Sequence, residues 1–242
     1  MKNFFLFLSI FFFSSLFSQE KKSLTFSDYK NEFSLELIGF IDASLQIKYE
    51  RLIGKNLSIG LGFVYKGDEG LINLSGLDTD FIKTKDLTYS GIKLIPEFRY
   101  YLNPSSMVFC RTGFYVGTYF KYSRFSSDLD GVYQFNSMPY DISFDARLNI
   151  YSLGFMVGYK LPIGKRFSID FLIAGPGVGR YDITIKPQND IPDSFYDDLN
   201  QALESYDFFD ELNADFNFSS KDLKSDLLLP SFRYAISVGI AF

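Results

Sequence analysis

The 242-residue sequence contains no histidine, no tryptophan and a single cysteine, Cys110. Without His there can be no Ser-His-Asp triad, Cys-His dyad or His-ligated zinc or haem, and one Cys cannot close an intramolecular disulfide. Positive charge is scarce: 24 Lys and Arg stand against 29 Asp and Glu, for a net charge of −5 and a pI near 4.9. No nucleic acid is expected as partner, because binding its phosphates requires a basic footprint. Past the first segment, no apolar run approaches the roughly 20 residues of a helical membrane span. These absences point to a protein that is not an enzyme, with no cofactor, no metal and no catalytic residues. Aromatics, in contrast, are abundant, with 29 Phe and 17 Tyr.

The opening MKNFFLFLSIFFFSSLFSQE has a positive start at Lys2, an apolar run broken only by serines, and a small residue, Ser18, before QEKK. This is the layout of a secretory signal peptide at residues 1–18, too short in its apolar part to span a bilayer. A short polar segment, 19–32, follows, and residues 33–242 form the remaining domain.

That domain alternates with a period of two, the mark of strands with two unlike faces. In LSIGLGFVYK the bulky residues are Leu57, Ile59, Leu61, Phe63 and Tyr65; the last segment alternates Phe232, Tyr234, Ile236, Val238, Ile240 and Phe242 with smaller or polar partners. The pattern recurs at 33–37, 43–49, 92–100, 108–120, 151–159 and 167–173, making eight segments. Their 39 bulky-phase positions carry no charge, although the chain average of 22% charged would place roughly eight or nine there.

The connections are unequal. IGKN, NPSS and PIGK read as tight turns, and between them lie long polar stretches at about 67–88, 123–145 and 182–228. Short turns on one side and long loops on the other describe an all-β, eight-stranded antiparallel up-and-down transmembrane barrel. Tyr49, Tyr100, Tyr159, Phe167 and Phe242 would mark the inner rim, and Tyr65, Tyr122, Tyr151, Tyr181 and Phe232 the outer rim. An even strand count requires a break near 39–42, which pairs Leu35 with Ile47. Cys110 falls on the bulky face as a small apolar residue.

Nine charges occupy the other phase: Glu36, Lys48, Glu50, Lys93, Glu97, Arg99, Arg111, Asp170 and Arg233. In an eight-stranded lumen, filled by side chains, they read as structural ion pairs, with Glu97 opposite Arg111 about a turn at Pro104. A narrow ion path is the sharper alternative. Residues 187–220 hold nine acidic residues and no Lys or Arg, with Phe195, Leu199, Leu203 and Tyr206 at helical spacing; this predicts a short amphipathic helix over the outer mouth. Its carboxylates suit calcium in kind but lack an EF-hand-type spacing.

Periodicity does not say which face points outward. A secreted lipocalin-like calyx would turn the apolar face inward around a ligand, and a lipid-modifying outer-membrane enzyme would have to use carboxylates such as Glu97 or Asp170. The alternating loop lengths, the aromatics at band ends and the Gly, Ala and Ser of the opposite face favour the membrane barrel.

The stretches YERLIGKNLSIGLGFVY, GIKLIPEFRYYLNP, TGFYVGTYFKY, YSLGFMVGYKLPIGKRFSIDFLIAGPGVG and LPSFRYAISVGIAF resemble a small, uncharacterised outer-membrane β-barrel family, a domain of unknown function found in Bacteroidota-type bacteria. A monomer is expected; separately, the resemblance implies a cell outer membrane location with outer-membrane lipid as surroundings. It also implies the barrel assembly machinery as folding partner, reading Phe242 as its signal. It carries no catalytic residues, and leaves a structural or interaction role for the exposed loops.

Overall fold

A computed structural model describes residues 29–68, 76–86, 88–102, 111–135, 138–205 and 214–242. The proposed signal peptide, Cys110 and Tyr206 lie outside the described residues. Nine strands form: β1 (Asn31–Glu36), β2 (Ser44–Leu52), β3 (Leu57–Lys66), β4 (Ile82–Thr84), β5 (Ser90–Tyr101), β6 (Gly113–Phe135), β7 (Met138–Ile163), β8 (Phe167–Pro187) and β9 (Lys224–Ala241). Helix α1 (Ser194–Glu204) precedes β9, and a 3-10 helix (Ile38–Asp42) joins β1 to β2.

Eight strands close a ring in the order β1-β2-β3-β5-β6-β7-β8-β9, with β9 pairing antiparallel to β1; β4 lies outside the ring, against β6. Leu35 pairs with Ile47 across the first hairpin. Followed around the ring from Leu35 through Ile47, Phe63, Leu94, Tyr122, Tyr151 and Arg180, the register reaches Leu228, whereas Leu35 itself pairs with Val238, a stagger of ten residues. Ten residues over eight strands corresponds to a tilt of roughly 40° at about 3.3 Å per residue and 4.8 Å between strands.

The bulky phase faces outward. Among the described residues 38 large hydrophobic side chains are exposed, against 25 buried hydrophobics. They form a continuous band: Phe63, Leu94, Phe120, Leu153, Phe155 and Phe232 all project from the wall. Its edges carry paired rings, Phe33 with Tyr49 and Phe242 at one end, and Tyr122 with Tyr151 at the other. Tyr181 departs from the expected outer rim. A bulge between Leu172 and Gly175 advances β8 by one residue, so Pro176, Val178 and Arg180 point outward and Tyr181 turns in.

The described residues of the stretch 123–145, expected as a loop, are strand: β6 and β7 stay paired far past the apolar band, and β8 and β9 extend into the expected 182–228 loop. Alternation persists there with its chemistry inverted. Arg124, Asp128, Asn149 and Arg147 now face out, while Phe125, Ile142, Phe144, Ile150, Ile185, Leu227 and Leu229 are buried within. Helix α1 fills this inner side with Phe195, Tyr196, Leu199 and Ala202. Phe195 stacks on Phe144 at 5.1 Å and meets Tyr133 edge-on at 5.2 Å, and Tyr133 donates to Asp198 at 2.6 Å. The predicted helix is thus present, packed on its Phe195 and Leu199 face. The wall is uneven: β1, β2, β3 and β5 end near the edge of the band, and β6 to β9 rise beyond it to carry this dome.

Candidate functional site: the lumen ion network

Inside the band the wall alternates tyrosines and charges with residues that leave room for them. Gly158 and Gly154 lie where a Cβ would collide with the rings of Tyr115 and Tyr119. Those rings lie across β7 and put their hydroxyls to work, Tyr115 donating to Asp170 at 2.9 Å and Tyr119 to the Gly175 carbonyl at 2.9 Å. The small residues opposite the bulky phase therefore accommodate rings that cross the lumen.

The charges form one connected network. Asp170 accepts from Lys48 at 2.7 Å and from Arg99 at 2.6 Å. Arg99 also grips Glu97 at 2.8 Å and lies 3.6 Å from Glu50, and it stacks on Tyr115 at 4.3 Å. Glu97 accepts from Arg233 at 2.8 Å, a contact that spans the lumen from β5 to β9. Glu50 accepts from Lys160 at 2.5 Å, Tyr101 at 2.6 Å and Ser58 at 2.7 Å. Lys160 reaches on to Glu32 at 2.8 Å, and Arg111 lies 3.4 Å from the same carboxylate. Each cation of this network touches a carboxylate, and the carboxylates are shared, which lets buried charges persist where isolated ones could not.

Of the nine expected lumen residues, Lys48, Glu50, Glu97, Arg99, Asp170 and Arg233 meet in this network, with Arg111 at its turn end. Glu36 and Lys93 face the lumen nearer the loop end, with no ion pair within 4 Å among the described residues. One expected pairing is overturned: Glu97 stands opposite Tyr119, not Arg111. The connection after β5 runs to Thr112, so β6 starts at Gly113, and Arg111 precedes the strand and turns to Glu32. Glu32 itself lies in β1, within the segment expected to be a polar leader to the barrel. Sequence reasoning also missed Lys160, Lys121 and Lys66. Each sits one position past the last bulky residue of a segment, where simple continuation of the alternation would have found it. Lys66 pairs with Asp42 of the 3-10 helix at 3.1 Å.

The central carboxylates of the network, Glu50, Glu97 and Asp170, are fully engaged. Each of these is held by two or more cations, and Glu50 and Asp170 also accept from hydroxyls.

No curated protein matches this chain. Among solved structures, the crystal structure of CarO from Acinetobacter baumannii matches with 13% identity and a TM-score of 0.40, covering 88% of this chain and 97% of CarO. Residues 43–184, more than half of the chain, match the family described as a protein of unknown function, DUF3575. The chain belongs to the DUF3575 family.

Proposed function

We propose that this protein is an outer-membrane β-barrel with a structural or interaction role, without enzymatic activity, working as a monomer in outer-membrane lipid. The single observation that carries this reading is the inside-out distribution within the ring: a continuous exposed apolar band surrounds a polar, ion-paired interior. Soluble monomers rarely expose apolar patches beyond a few hundred Å², whereas hydrocarbon requires such a band and a closed ring without edges. A ligand-binding calyx would need the opposite orientation of the bulky phase.

The filled interior favours a plug over a channel. The dome of α1 and the extended β6 to β9 wall, polar outside and apolar inside, is the part that would meet partners or envelope components in water. The location would let the outer-membrane assembly machinery fold the barrel.

Semi-native gel electrophoresis of the envelope fraction tests the reading. The protein should run as a compact band unheated and shift on boiling, in the membrane pellet. Recovery in the soluble fraction, with no heat-dependent shift, would refute it.

A further inference from the structure

Among the described residues, eight cations face the lumen: Lys48, Lys66, Lys93, Arg99, Arg111, Lys121, Lys160 and Arg233. Six lie within 4 Å of a carboxylate. Lys93 and Lys121 do not, among the described residues. They occupy adjacent strands near the loop end of the lumen, Lys93 being the register partner of Ser123, two residues from Lys121 on the same face. Lys121 reaches across the lumen to donate to Ser231 of β9 at 3.3 Å, and Lys93 lies 5.5 Å from the Phe125 ring. Arg233, two residues from Ser231 on the same inward face, sends one guanidinium nitrogen to Glu97, while its buried Nη1 has no hydrogen-bond partner. Both lysines keep partial exposure. Among the described residues, the other carboxylates near this group are Asp42, which is paired with Lys66, and Glu36, which has no ion pair, so the cluster keeps net positive charge.

We propose that Lys93, Lys121 and the free Nη1 edge of Arg233 form an anion-binding site at the loop end of the lumen, suited to a phosphate group. Donor groups on β5, β6 and β9 share this level of the lumen, and charge-assisted hydrogen bonds to phosphate oxygens are among the stronger ones. An acidic chain that concentrates unpaired cations at one level of its interior has reason to hold an anion there. The low wall at β1, β2, β3 and β5 brings this level to the edge of the apolar band. The phosphate can therefore belong either to a dissolved ion or to a lipid headgroup.

Purified barrel in non-ionic detergent separates these sources. One arm titrates inorganic phosphate at constant ionic strength, and the other adds phosphatidylglycerol, with phosphatidylcholine as zwitterionic control; binding is read by calorimetry and by the shift in thermal midpoint. Wild-type protein should bind saturably in at least one anionic arm. Lys93→Gln/Lys121→Gln should weaken that binding about tenfold or more while keeping the heat-dependent gel shift, and Glu36→Gln should tighten it. Saturation with phosphate identifies a dissolved anion, and saturation with phosphatidylglycerol alone identifies a headgroup. The proposal is overturned if neither arm binds, or if the folded double variant binds as tightly as wild type.

Discussion

Asp170→Asn changes one oxygen to an amide nitrogen at a lumen carboxylate that joins three side chains from three other strands. The wild-type side chain accepts from Lys48, Arg99 and Tyr115 at 2.7, 2.6 and 2.9 Å. Arg99 keeps Glu97 and Glu50 when Asp170 is neutralised, but Lys48 has no other carboxylate within 4 Å. The variant thus leaves one buried ammonium uncompensated, and removing one partner of a buried pair costs about 3–5 kcal/mol. Urea-dependent refolding into detergent micelles or bilayers should report a loss of that size. The same accounting predicts the pattern of rescue. Adding Lys48→Met removes the orphaned charge and should recover much of the loss, whereas adding Arg99→Met leaves Lys48 orphaned and strips a cation from Glu97 and Glu50, which keep only Arg233 and Lys160, and should deepen it. A wild-type urea midpoint for Asp170→Asn, or equal rescue by both second substitutions, would refute the network as described.

Arg111→Leu removes a buried cation beside Glu32 and should destabilise the barrel by about 3 kcal/mol, since Lys160 compensates Glu32 only in part; an unchanged thermal midpoint would contradict the pairing. Phe195→Ala empties the centre of the dome core and should loosen the cap by about 3–5 kcal/mol, seen as faster protease cleavage near α1 while the gel shift of the barrel persists. Burial and the Asp198 carboxylate push the Tyr133 hydroxyl above its ordinary value of 10.0. A raised folded-state value means the contribution is complete below pH 10.0 and lost as pH climbs through the raised value. The dome should therefore open at strongly alkaline pH, followed by near-ultraviolet circular dichroism, and Tyr133→Phe should abolish that step.

The ring and its orientation are legible because hydrocarbon tolerates no charge: Phe63, Phe120, Phe155 and Ile236 all fall in one phase, and the structure turns that phase outward. What escaped notice follows from reading only that rule. Outside the band water replaces hydrocarbon, so Phe125, Ile142 and Phe144 go inside and Arg124 and Arg147 outside, and a search for bulky outward residues ends too early. Lys160, Lys121 and Lys66 were lost at the same artificial segment ends. The bulge that turns Tyr181 inward lies beside Gly175, Pro176 and Gly177, residue types that accompany strand irregularities, but the outward band pattern alone does not reveal the register shift. Arg111 could not be placed by spacing, because the partner it meets, Glu32, belongs to the far end of the chain order.

The absence of native tryptophan permits a direct test of which solvent wets each face. Phe155 is 72% exposed on the outer wall and its neighbour Met156 is 3% exposed in the lumen. In vesicles containing brominated lipid, Phe155→Trp should be strongly quenched by the bromines and insensitive to aqueous acrylamide, with Met156→Trp much less quenched by lipid. Acrylamide quenching at position 155, with no effect of the brominated chains, would contradict the outward-facing lipid contact on which the account stands.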